Sequence, residues 1–312
     1  MTSAPARQPW TKAIPPARDR LQSRLLVWIV APLITLACAQ LIYFTRDYGW
    51  ELPLAKPLTV SITFALAAWL LRAATRAAAL IGGMICLLLT FWTGSTIESP
   101  LHSALAPLLT LFILTFLATR AGRKQKSAHG LAESRKGRRA SQVIANLGIA
   151  ALVSNLLGRN AIAWLARNPG ISESDSLWVL RIVILAALAE AAADTVSSEI
   201  GQAFGGTPFM LTTLRRVPPG TDGAISLNGT LAGIAAAALI VATGAPALGM
   251  SPAACFVIFA AAVLGLFFDS LLGATLERRG WIGNDLVNFT STAFAAGLAL
   301  LAIHFGQPYL LR

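Results

Sequence analysis

Long apolar runs separated by short polar or basic segments form the main pattern of the chain from residue 25 onward. A bilayer core of about 30 Å is crossed by about 20 helical residues, each rising about 1.5 Å. The runs lack the two-residue alternation of outer-membrane β-strands. They predict an all-α, polytopic integral membrane protein with about nine transmembrane helices. The predicted spans are Leu25–Phe44, Pro57–Leu71, Ala77–Trp92, Ala104–Thr119, Ala140–Leu157, Leu177–Glu199, Ala224–Ala245, Pro252–Thr275 and Asp285–Phe305.

Composition agrees with this class. The chain is 55% hydrophobic and 12% charged, whereas soluble domains carry about 25% charged residues. Its three cysteines, Cys38, Cys86 and Cys255, all lie in apolar runs, so neither a disulfide framework nor a cysteine metal site is expected. A cleavable signal peptide is the alternative interpretation of the N-terminal region. The first apolar run, about 20 residues long, exceeds a typical signal core.

The distribution of lysine and arginine predicts the orientation. With a cytoplasmic N-terminus, 19 of the 25 Lys and Arg residues fall inside and five outside, while Arg181 lies within the sixth span. Because cytoplasmic loops carry the excess of basic residues, we expect a cytoplasmic-membrane protein with its N-terminus inside and Arg312 outside. This bias accounts for most of the net charge of +11. The bilayer, with its anionic headgroups, is therefore the expected partner, rather than nucleic acid.

Polar residues divide the chain into three regions. Residues 1–119 form a four-span region with few polar groups inside the spans. Residues 120–139 form a basic cytoplasmic loop, expected to be flexible in its middle. Residues 140–312 form a five-span region in which the polar residues are concentrated. This last region is the predicted catalytic region, with its active site at the cytoplasmic helix ends.

Carboxylates collect at the ends of two predicted spans. An ionised carboxylate in a spanning helix costs about 2.5–3.5 kcal/mol on insertion scales, so it persists where it faces water or a ligand. Glu190, Asp194 and Ser198 are four residues apart and share one helix face. Glu199 points about 140° away from Asp194 and joins the same site only if the helix ends or distorts there.

The second acidic helix end carries Asp269, with Gly273 on the same face. Asn284, Asp285 and Asn288 follow at the start of the ninth span. Oxygen ligands of this kind suit Mg²⁺, which uses one or two carboxylates together with water and substrate phosphates. Asp194 and Asp269 are the first candidates for metal ligands, and Glu199 and Asp285 are the weaker ones.

A basic, glycine-rich turn lies between the two acidic helix ends. Arg215 and Arg216 are bidentate phosphate donors by geometry. Pro218, Pro219, Gly220 and Gly223 predict a tight turn before a helix, where backbone N–H groups hold phosphate well. The turn lacks the Gly-Lys-Ser/Thr ending of a P-loop. Further donors near the same plane are expected from Arg138, Arg139, Gln142 and Asn146.

Each of these features also has a simpler explanation. A buried structural pairing with an arginine would also explain the presence of Glu190 or Asp269. The Pro218–Gly220 turn is also explained if it is simply a sharp connector between helices. Interhelical hydrogen bonding accounts for Gln142 and Asn146, and Glu277 with Arg278 fits a solvated helix end. The combination of carboxylates, arginines and a glycine-rich turn at one membrane surface favours a binding site for a metal-nucleotide and a lipid phosphate. Six of the chain's fourteen carboxylates lie at or beside the cytoplasmic ends of three spans, opposite the basic turn.

At these residues the sequence resembles the transmembrane protein 19 family, which includes the plant phytyl-phosphate kinase of tocopherol synthesis. The resemblance covers about residues 20–305. One departure is Val196, where a tryptophan commonly follows the Asp-Thr pair. The motifs that carry it are Ala-Asp-Thr-Val-Ser-Ser-Glu-Ile-Gly (193–201), Pro208 with Leu-Thr-Thr (211–213), Arg-Val-Pro-Pro-Gly-Thr-Asp-Gly-Ala-Ile-Ser (216–226), Asp-Ser-Leu-Leu-Gly-Ala-Thr (269–275), Gln142-Val with Asn146, and Asn284-Asp with Val287-Asn288.

The resemblance implies phosphoryl transfer from a Mg²⁺-bound nucleotide, CTP or ATP, to an isoprenyl monophosphate such as phytyl or geranylgeranyl phosphate. A phosphate acceptor is already anionic, so positioning and charge neutralisation provide most of the catalysis. Asp194, Asp269, Arg215 and Arg216 are the expected catalytic residues. Expected nucleotide- and phosphate-binding residues are Arg139, Gln142, Asn146, Thr195, Ser198, Gly220, Thr221, Gly223 and Asn288.

Two alternative functions remain open at this stage. A fainter similarity to CTP-dependent polyprenol kinases and phosphatidate cytidylyltransferases makes a cytidylyltransferase on a lipid phosphate one alternative. A lipid or ion transporter is the other, although a transporter places its carboxylates near the bilayer midplane. The sequence leaves the nucleotide, the prenyl chain and the oligomeric state undetermined.

Overall fold

The computed structural model describes residues 14–47, 51–94, 99–128, 130–131, 137–155, 158, 160–161 and 173–310. The N-terminal part of this chain contains α1 (Pro16–Asp47), α2 (Glu51–Leu70), α3 (Arg76–Thr93), α4 (Leu105–Arg120), α5 (Arg123–Ala128) and α6 (Ala140–Val153). The C-terminal part contains α7 (Glu173–Phe204), β1 (Phe209–Met210), β2 (Ala224–Ile225), α8 (Leu227–Leu248), α9 (Pro252–Leu272), a π-helical turn (Gly273–Glu277) and α10 (Asn284–Leu310).

The helical class predicted from the apolar runs is confirmed, and each predicted span overlaps one of these helices. Within the described residues, five helices are long and apolar enough to cross a membrane. α7 is as long as these but carries four charged residues between positions 181 and 199. The total of nine spans therefore stays a prediction. The five helices are Pro16–Arg46, Arg76–Thr93, Leu227–Leu248, Pro252–Glu277 and Asn284–Phe305.

Several expectations fall on residues outside the described part. These are the first 13 residues, which hold part of the alternative signal peptide, the middle of the basic loop at 132–136, and Arg312 with its predicted outside position.

Helix α7 lies at the centre of the bundle, where it packs against α4, α6, α8, α9 and α10. Its side chains from Val179 to Ala193 are buried, apart from the half-buried Arg181. Most of them are alanine, leucine, isoleucine or valine. On α8, a Cβ added at Gly233 would lie 2.7 Å from the Ala193 carbonyl oxygen. Small residues at such contacts let helix backbones approach closely.

Arg181 holds the end of the bundle where α3 and α8 terminate. Its Nη2 and Nε donate to the carbonyl oxygen of Thr93, at 2.8 and 3.1 Å, and its Nη1 donates to that of Leu248 at 3.3 Å. Carbonyls at helix C-termini lack helical partners and carry partial negative charge. Arg181 supplies hydrogen-bond donors to the carbonyls at the C-termini of both α3 and α8. It lies about 20 Å from Asp194 along α7, at 1.5 Å per residue. It is a structural residue.

At the opposite end, the start of α1 fastens the loop before α10. Arg18 Nη1 donates to the Gly280 carbonyl at 2.9 Å. Gln22 bonds the Trp281 carbonyl and the Gly283 amide, both at 2.8 Å. Ser23 Oγ donates to Asp285 Oδ2 at 2.6 Å. These bonds fix the position of the first turn of α10.

The π-helical turn after α9 changes which residues face inward. In a regular α-helix, a residue eight positions after Asp269 lies about 80° round from it. The wider π-turn reduces the rotation per residue and so returns Glu277 towards the Asp269 face. Glu277 is 4% exposed. The prediction that Glu277 belongs to a solvated helix end is therefore wrong, while Arg278 is exposed as expected.

Candidate functional site

The helix ends predicted to carry the chemistry enclose a cavity of about 310 Å³. Its walls come from the start of α6, the second half of α7, the turn before β2, the end of α9 with the π-turn, and the start of α10. Twelve of its lining residues belong to the sequence-derived candidates: Gln142, Asn146, Asp194, Thr195, Ser198, Glu199, Gly220, Thr221, Gly223, Asp269, Asp285 and Asn288.

Two aspartates from different helices face one another in this cavity. Asp194 of α7 and Asp269 of α9 both line the cavity, and their carboxyl groups lie close enough to interact with each other. Asn288 Nδ2 donates to Asp194 Oδ2 at 3.3 Å and to Asn146 Oδ1 at 3.1 Å. Ser291 Oγ donates to Asp269 Oδ1 at 3.2 Å. Polar groups of α6 and α10 thus hold both carboxylates in fixed directions.

Among the described residues, the arginine that lines this cavity is Arg138. The Arg138 guanidinium lies close enough to Asp194 for an electrostatic interaction. Its backbone is fixed by bonds from Arg138 N to the Ala73 carbonyl at 2.9 Å and from Thr75 N to the Arg138 carbonyl at 3.0 Å. Gly137 makes this contact sterically allowed. Its φ is +81°, and a Cβ there would lie 2.6 Å from the Ala73 carbonyl carbon.

Three helices begin at the cavity. Gln142 in the first turn of α6, the Ser226 cap of α8 and Asn284 at the start of α10 all line it. Ser226 Oγ accepts from the Gly229 amide at 3.2 Å. Helix N-termini carry partial positive charge and unpaired N–H groups, which favour anions such as phosphate. The cavity therefore combines carboxylates with positive helix ends.

Glu190 forms a deeper layer below the aspartates. It lies one helical turn before Asp194 and is 1% exposed. Its Oε2 accepts from Thr292 Oγ1 at 2.9 Å, while its Oε1 has no hydrogen-bond partner among the described residues. A Cβ added at Gly265 would lie 2.5 Å from Glu190 Cγ, so the glycine makes room for this side chain.

The oxygen donors of the cavity fit a magnesium ion. Two ionised carboxylates within hydrogen-bonding distance repel each other unless a proton or a cation lies between them. Among the described residues, no group of three or more His, Cys, Asp or Glu side chains has the geometry of a metal site. Asp194 and Asp269 would thus supply two ligands, and water and phosphate oxygens the rest, as Mg²⁺ prefers.

The glycine-rich turn reaches the cavity through its second half. Gly220 has a φ of +83°, and a Cβ there would lie 2.5 Å from the Leu131 side chain. Gly223 has a φ of +71°, and a Cβ there would lie 2.0 Å from the Ala274 amide nitrogen. The backbone at Gly223 therefore packs directly on the π-turn. Only glycine combines positive φ with such close approach at low cost.

Three predicted phosphate donors lie elsewhere. Arg139, Arg215 and Arg216 are exposed and do not line the cavity. The Arg216 guanidinium carbon lies 5.9 Å from the centre of the Phe209 ring. Arg139 contributes its backbone, because its N–H donates to Gln142 Oε1 at 2.8 Å and so caps α6. Of the two neighbouring arginines expected as donors, Arg138 lines the cavity and Arg139 does not. The phosphate-binding roles of Arg215 and Arg216 stay predictions.

Both of the weaker metal candidates, Glu199 and Asp285, have protein partners. Glu199 accepts from Thr119 Oγ1 at 3.0 Å and forms a salt bridge with Lys126, which is fully buried. Lys126 also donates to the carbonyls of Ala118 and Thr119, at 3.1 and 2.9 Å. Glu199 therefore fastens α5 to α7. Asp285 lines the cavity while accepting from Ser23.

Sequence reasoning expected Arg138 as a further donor and assigned no site role to three other lining residues: Asp222, Ser226 and Glu277. Asp222 lies in the glycine-rich turn, and Ser226 is a recognisable N-cap before an apolar run, so both had a local signal. Glu277 depends on the π-turn, for which spacing rules give the wrong face. Arg138 differs from Arg139 only through the tertiary contact of Gly137.

Comparison with known proteins places the chain among membrane proteins. The family described as Integral membrane protein DUF92 matches residues 59–296. An uncharacterised membrane protein, sll0875 of Synechocystis, is 34% identical over 193 residues, covering 62% of this chain and 70% of that protein. The chloroplastic protein VTE6 of Arabidopsis thaliana is 31% identical over 197 residues, covering 62% of this chain and 56% of VTE6.

A third relative is the uncharacterised membrane protein MJ0933 of Methanocaldococcus jannaschii, which is 32% identical over 195 residues. The match covers 62% of this chain and 74% of MJ0933. No solved structure matches the chain. These findings confirm the family resemblance seen in the motifs and the assignment as a multi-pass integral membrane protein.

Proposed function

We propose, since the chain belongs to the Integral membrane protein DUF92 family, that it is a membrane-embedded kinase. Its reaction would transfer a phosphoryl group from a Mg²⁺-bound nucleotide to an isoprenyl monophosphate, giving the diphosphate. The observation that carries this proposal is the pair Asp194 and Asp269, facing each other in a cavity where three helices begin. The resemblance to a family containing a phytyl-phosphate kinase, and the match to a plant chloroplastic protein, support the substrate class.

The residues divide the work by charge. Asp194 and Asp269 would hold Mg²⁺, which would supply charge neutralisation at the phosphates. Asn288 holds Asp194 in place, and Ser291 does the same for Asp269. Arg138 supplies a fixed positive charge beside Asp194. Preorganised groups of this kind lower the barrier because they do not have to reorient as charge develops.

The helix ends and the turn position the phosphates. The N-termini of α6, α8 and α10 offer N–H groups and partial positive charge to phosphate oxygens. The turn from Gly220 to Gly223 forms one wall of the cavity. We place the phosphates of the nucleotide against these groups. No strong general base is required of the protein, because the attacking oxygen is already anionic.

The direct test is product identification with purified protein in lipid nanodiscs. Phytyl or geranylgeranyl monophosphate is supplied with Mg²⁺ and either CTP or ATP, and products are identified by mass spectrometry. A prenyl diphosphate with nucleoside diphosphate is the expected result. A CDP-linked lipid with released pyrophosphate would instead identify a cytidylyltransferase, which uses the same site. Absence of both products with either nucleotide would contradict the proposal.

A further inference from the structure

A second cavity, of about 240 Å³, lies beside the candidate site and is strongly basic. We call it the basic pocket. Among the residues that the structure describes, its lining includes no acidic residue and four arginines, which are Arg72, Arg120, Arg123 and Arg138. Glu199, which accepts a hydrogen bond from the lining residue Thr119, is already paired with Lys126. Four guanidinium groups collected in this way favour an anion, and guanidinium groups bind phosphate in bidentate fashion.

Local structure holds these arginines together. The Arg120 guanidinium carbon lies 3.4 Å from the centre of the Phe116 ring, and its Nη2 donates to the Leu71 carbonyl at 3.0 Å. Arg72 has a φ of +55°, an uncommon conformation for a non-glycine residue. Backbone strain of this kind concentrates at ligand-binding sites. Arg138 is fixed by its bonds to Ala73 and Thr75.

A third space, which we call the apolar cleft, adjoins the basic pocket. It has a volume of about 70 Å³ between α2, α3, α4 and α6, and its walls are formed mainly by apolar residues such as Phe64, Gly82 and Leu108. It shares Phe112, Thr115 and Arg138 with the basic pocket. Arg138 and Asn146 also line the candidate site. All three spaces therefore meet at Arg138.

We infer that the basic pocket and the apolar cleft together bind a phosphate monoester carried on an apolar chain. The arginines hold the phosphate, and the cleft holds the first carbons of the chain. Through Arg138 the phosphate is adjacent to the cavity that contains Asp194 and Asp269. That the bound lipid phosphate is the acceptor rests on the proposed function. The inference that the lipid phosphate binds here rests only on the charge of the basic pocket and the apolarity of the cleft.

Binding of geranylgeranyl monophosphate tests the inference without nucleotide. The full-length protein is placed in nanodiscs of zwitterionic lipid, and its affinity for the probe is measured. Arg72→Gln combined with Arg123→Gln should weaken binding by about tenfold or more, because charge-assisted bonds to the phosphate are lost. Lys124→Gln is the matched control, since Lys124 is exposed on the same short helix and lines neither space. Equal affinities for the double variant and the control would overturn the inference.

The apolar part is tested separately by filling the cleft. A Cβ at Gly82 would have only an ordinary contact, at 3.7 Å from Phe64, so the backbone accepts a side chain there. Gly82→Leu should weaken binding of geranylgeranyl monophosphate several-fold and leave competition by inorganic phosphate unchanged. An unchanged affinity of Gly82→Leu for the prenyl phosphate would show that the apolar chain does not bind in the cleft, and would overturn that half of the inference.

Two further arms separate the possible sources of the phosphate. Phosphatidate, which carries the same phosphomonoester, should compete far less well than geranylgeranyl monophosphate. Equal competition would identify a general anionic-lipid site and overturn the acceptor assignment. Turnover assays on the same variants separate this inference from the proposed function. If the variants bind geranylgeranyl monophosphate more weakly but the wild type shows no turnover, only the proposed kinase function is contradicted. If both variants show normal binding and normal turnover, only the inference is contradicted.

Discussion

Asp194 and Asp269 set the chemistry of the cavity because their carboxylates approach closely in a setting of amide and hydroxyl donors. A neutral amide in place of either carboxylate keeps the shape and removes the mutual repulsion. The same change removes a metal ligand. Function and stability should therefore respond in opposite directions, which distinguishes a metal-binding pair from a structural one.

Asp194→Asn and Asp269→Asn should each lower turnover at least about 100-fold, because charge stabilisation of the transferred group is lost. Thermal unfolding of each variant in detergent should occur at or above the wild-type temperature. Glu199→Gln offers the contrast, since it leaves the buried Lys126 without its salt bridge, a loss worth about 3–5 kcal/mol. Near-normal turnover in Asp269→Asn would show that Asp269 has a structural role and is not a required metal ligand.

Arg138 and Arg139 provide an adjacent pair with opposite surroundings. Arg138 lines the cavity near Asp194, whereas Arg139 is exposed and contributes its backbone N–H to the cap of α6. Arg138→Gln should lower kcat/KM by about tenfold or more, since a fixed charge beside the phosphates is removed. Arg139→Gln should stay within about twofold of wild type. A larger loss of kcat/KM in Arg139→Gln than in Arg138→Gln would support the phosphate-binding role that the sequence predicted for Arg139.

At the scale of single residues, spacing rules predicted which carboxylates and amides would lie together, and these residues line the cavity. They succeed because Asp194 and Asp269 lie on regular helices, where the four-residue period fixes the face. Spacing rules could not separate Arg138 from Arg139, and they gave the wrong face for Glu277. Arg138 is placed by the contact between Gly137 and the loop after α2, and Glu277 by the change from an α-helix to a π-turn.

At the scale of elements, the contact between the glycine-rich turn and the π-turn closes one side of the cavity. A Cβ at Gly273 would lie 2.7 Å from the Gly223 amide nitrogen, so both glycines are needed for the approach. The sequence predicted the turn from its prolines and glycines. It could not predict the partner of the turn, because that partner lies about fifty residues later in the chain.

Gly223→Ala should be severe, because it adds strain at positive φ and a Cβ 2.0 Å from the Ala274 amide nitrogen. Gly206→Ala separates the two effects. Gly206 has a φ of +65° with nothing within 4 Å of an added Cβ, so only the backbone penalty of about 1–2 kcal/mol applies. Unfolding temperature and turnover should both fall much further for Gly223→Ala. Equal small effects would mean that the turn is a loose connector.

At the scale of the whole molecule, the apolar pattern predicted where the helices lie but not how they surround α7. The start of α1 shows what pattern alone misses. It precedes the family match at residues 59–296, yet it fastens the loop before α10 through Arg18, Gln22 and Ser23. Contacts between such distant segments depend on tertiary packing, for which hydropathy carries no signal.

Orientation is the untested property at this scale. Ser127→Cys places a thiol on the exposed side of α5, in the loop predicted to be cytoplasmic. The natural cysteines interfere little, because Cys38 and Cys86 are buried and Cys255 is half-buried. A membrane-impermeant maleimide should label Ser127→Cys only after the cells are opened, as the basic excess requires. Labelling of intact cells would invert the topology and move the cavity to the outer face.

The central claim, phosphoryl transfer at the paired aspartates, is tested most directly by following the γ-phosphorus of the nucleotide. Purified protein receives γ-³²P-labelled CTP or ATP with geranylgeranyl monophosphate and Mg²⁺, and the labelled lipid is counted. The label should appear in geranylgeranyl diphosphate with wild-type protein and be almost absent with Asp269→Asn. A wild-type lipid fraction that stays unlabelled with both nucleotides, or equal labelling by Asp269→Asn, would contradict the claim.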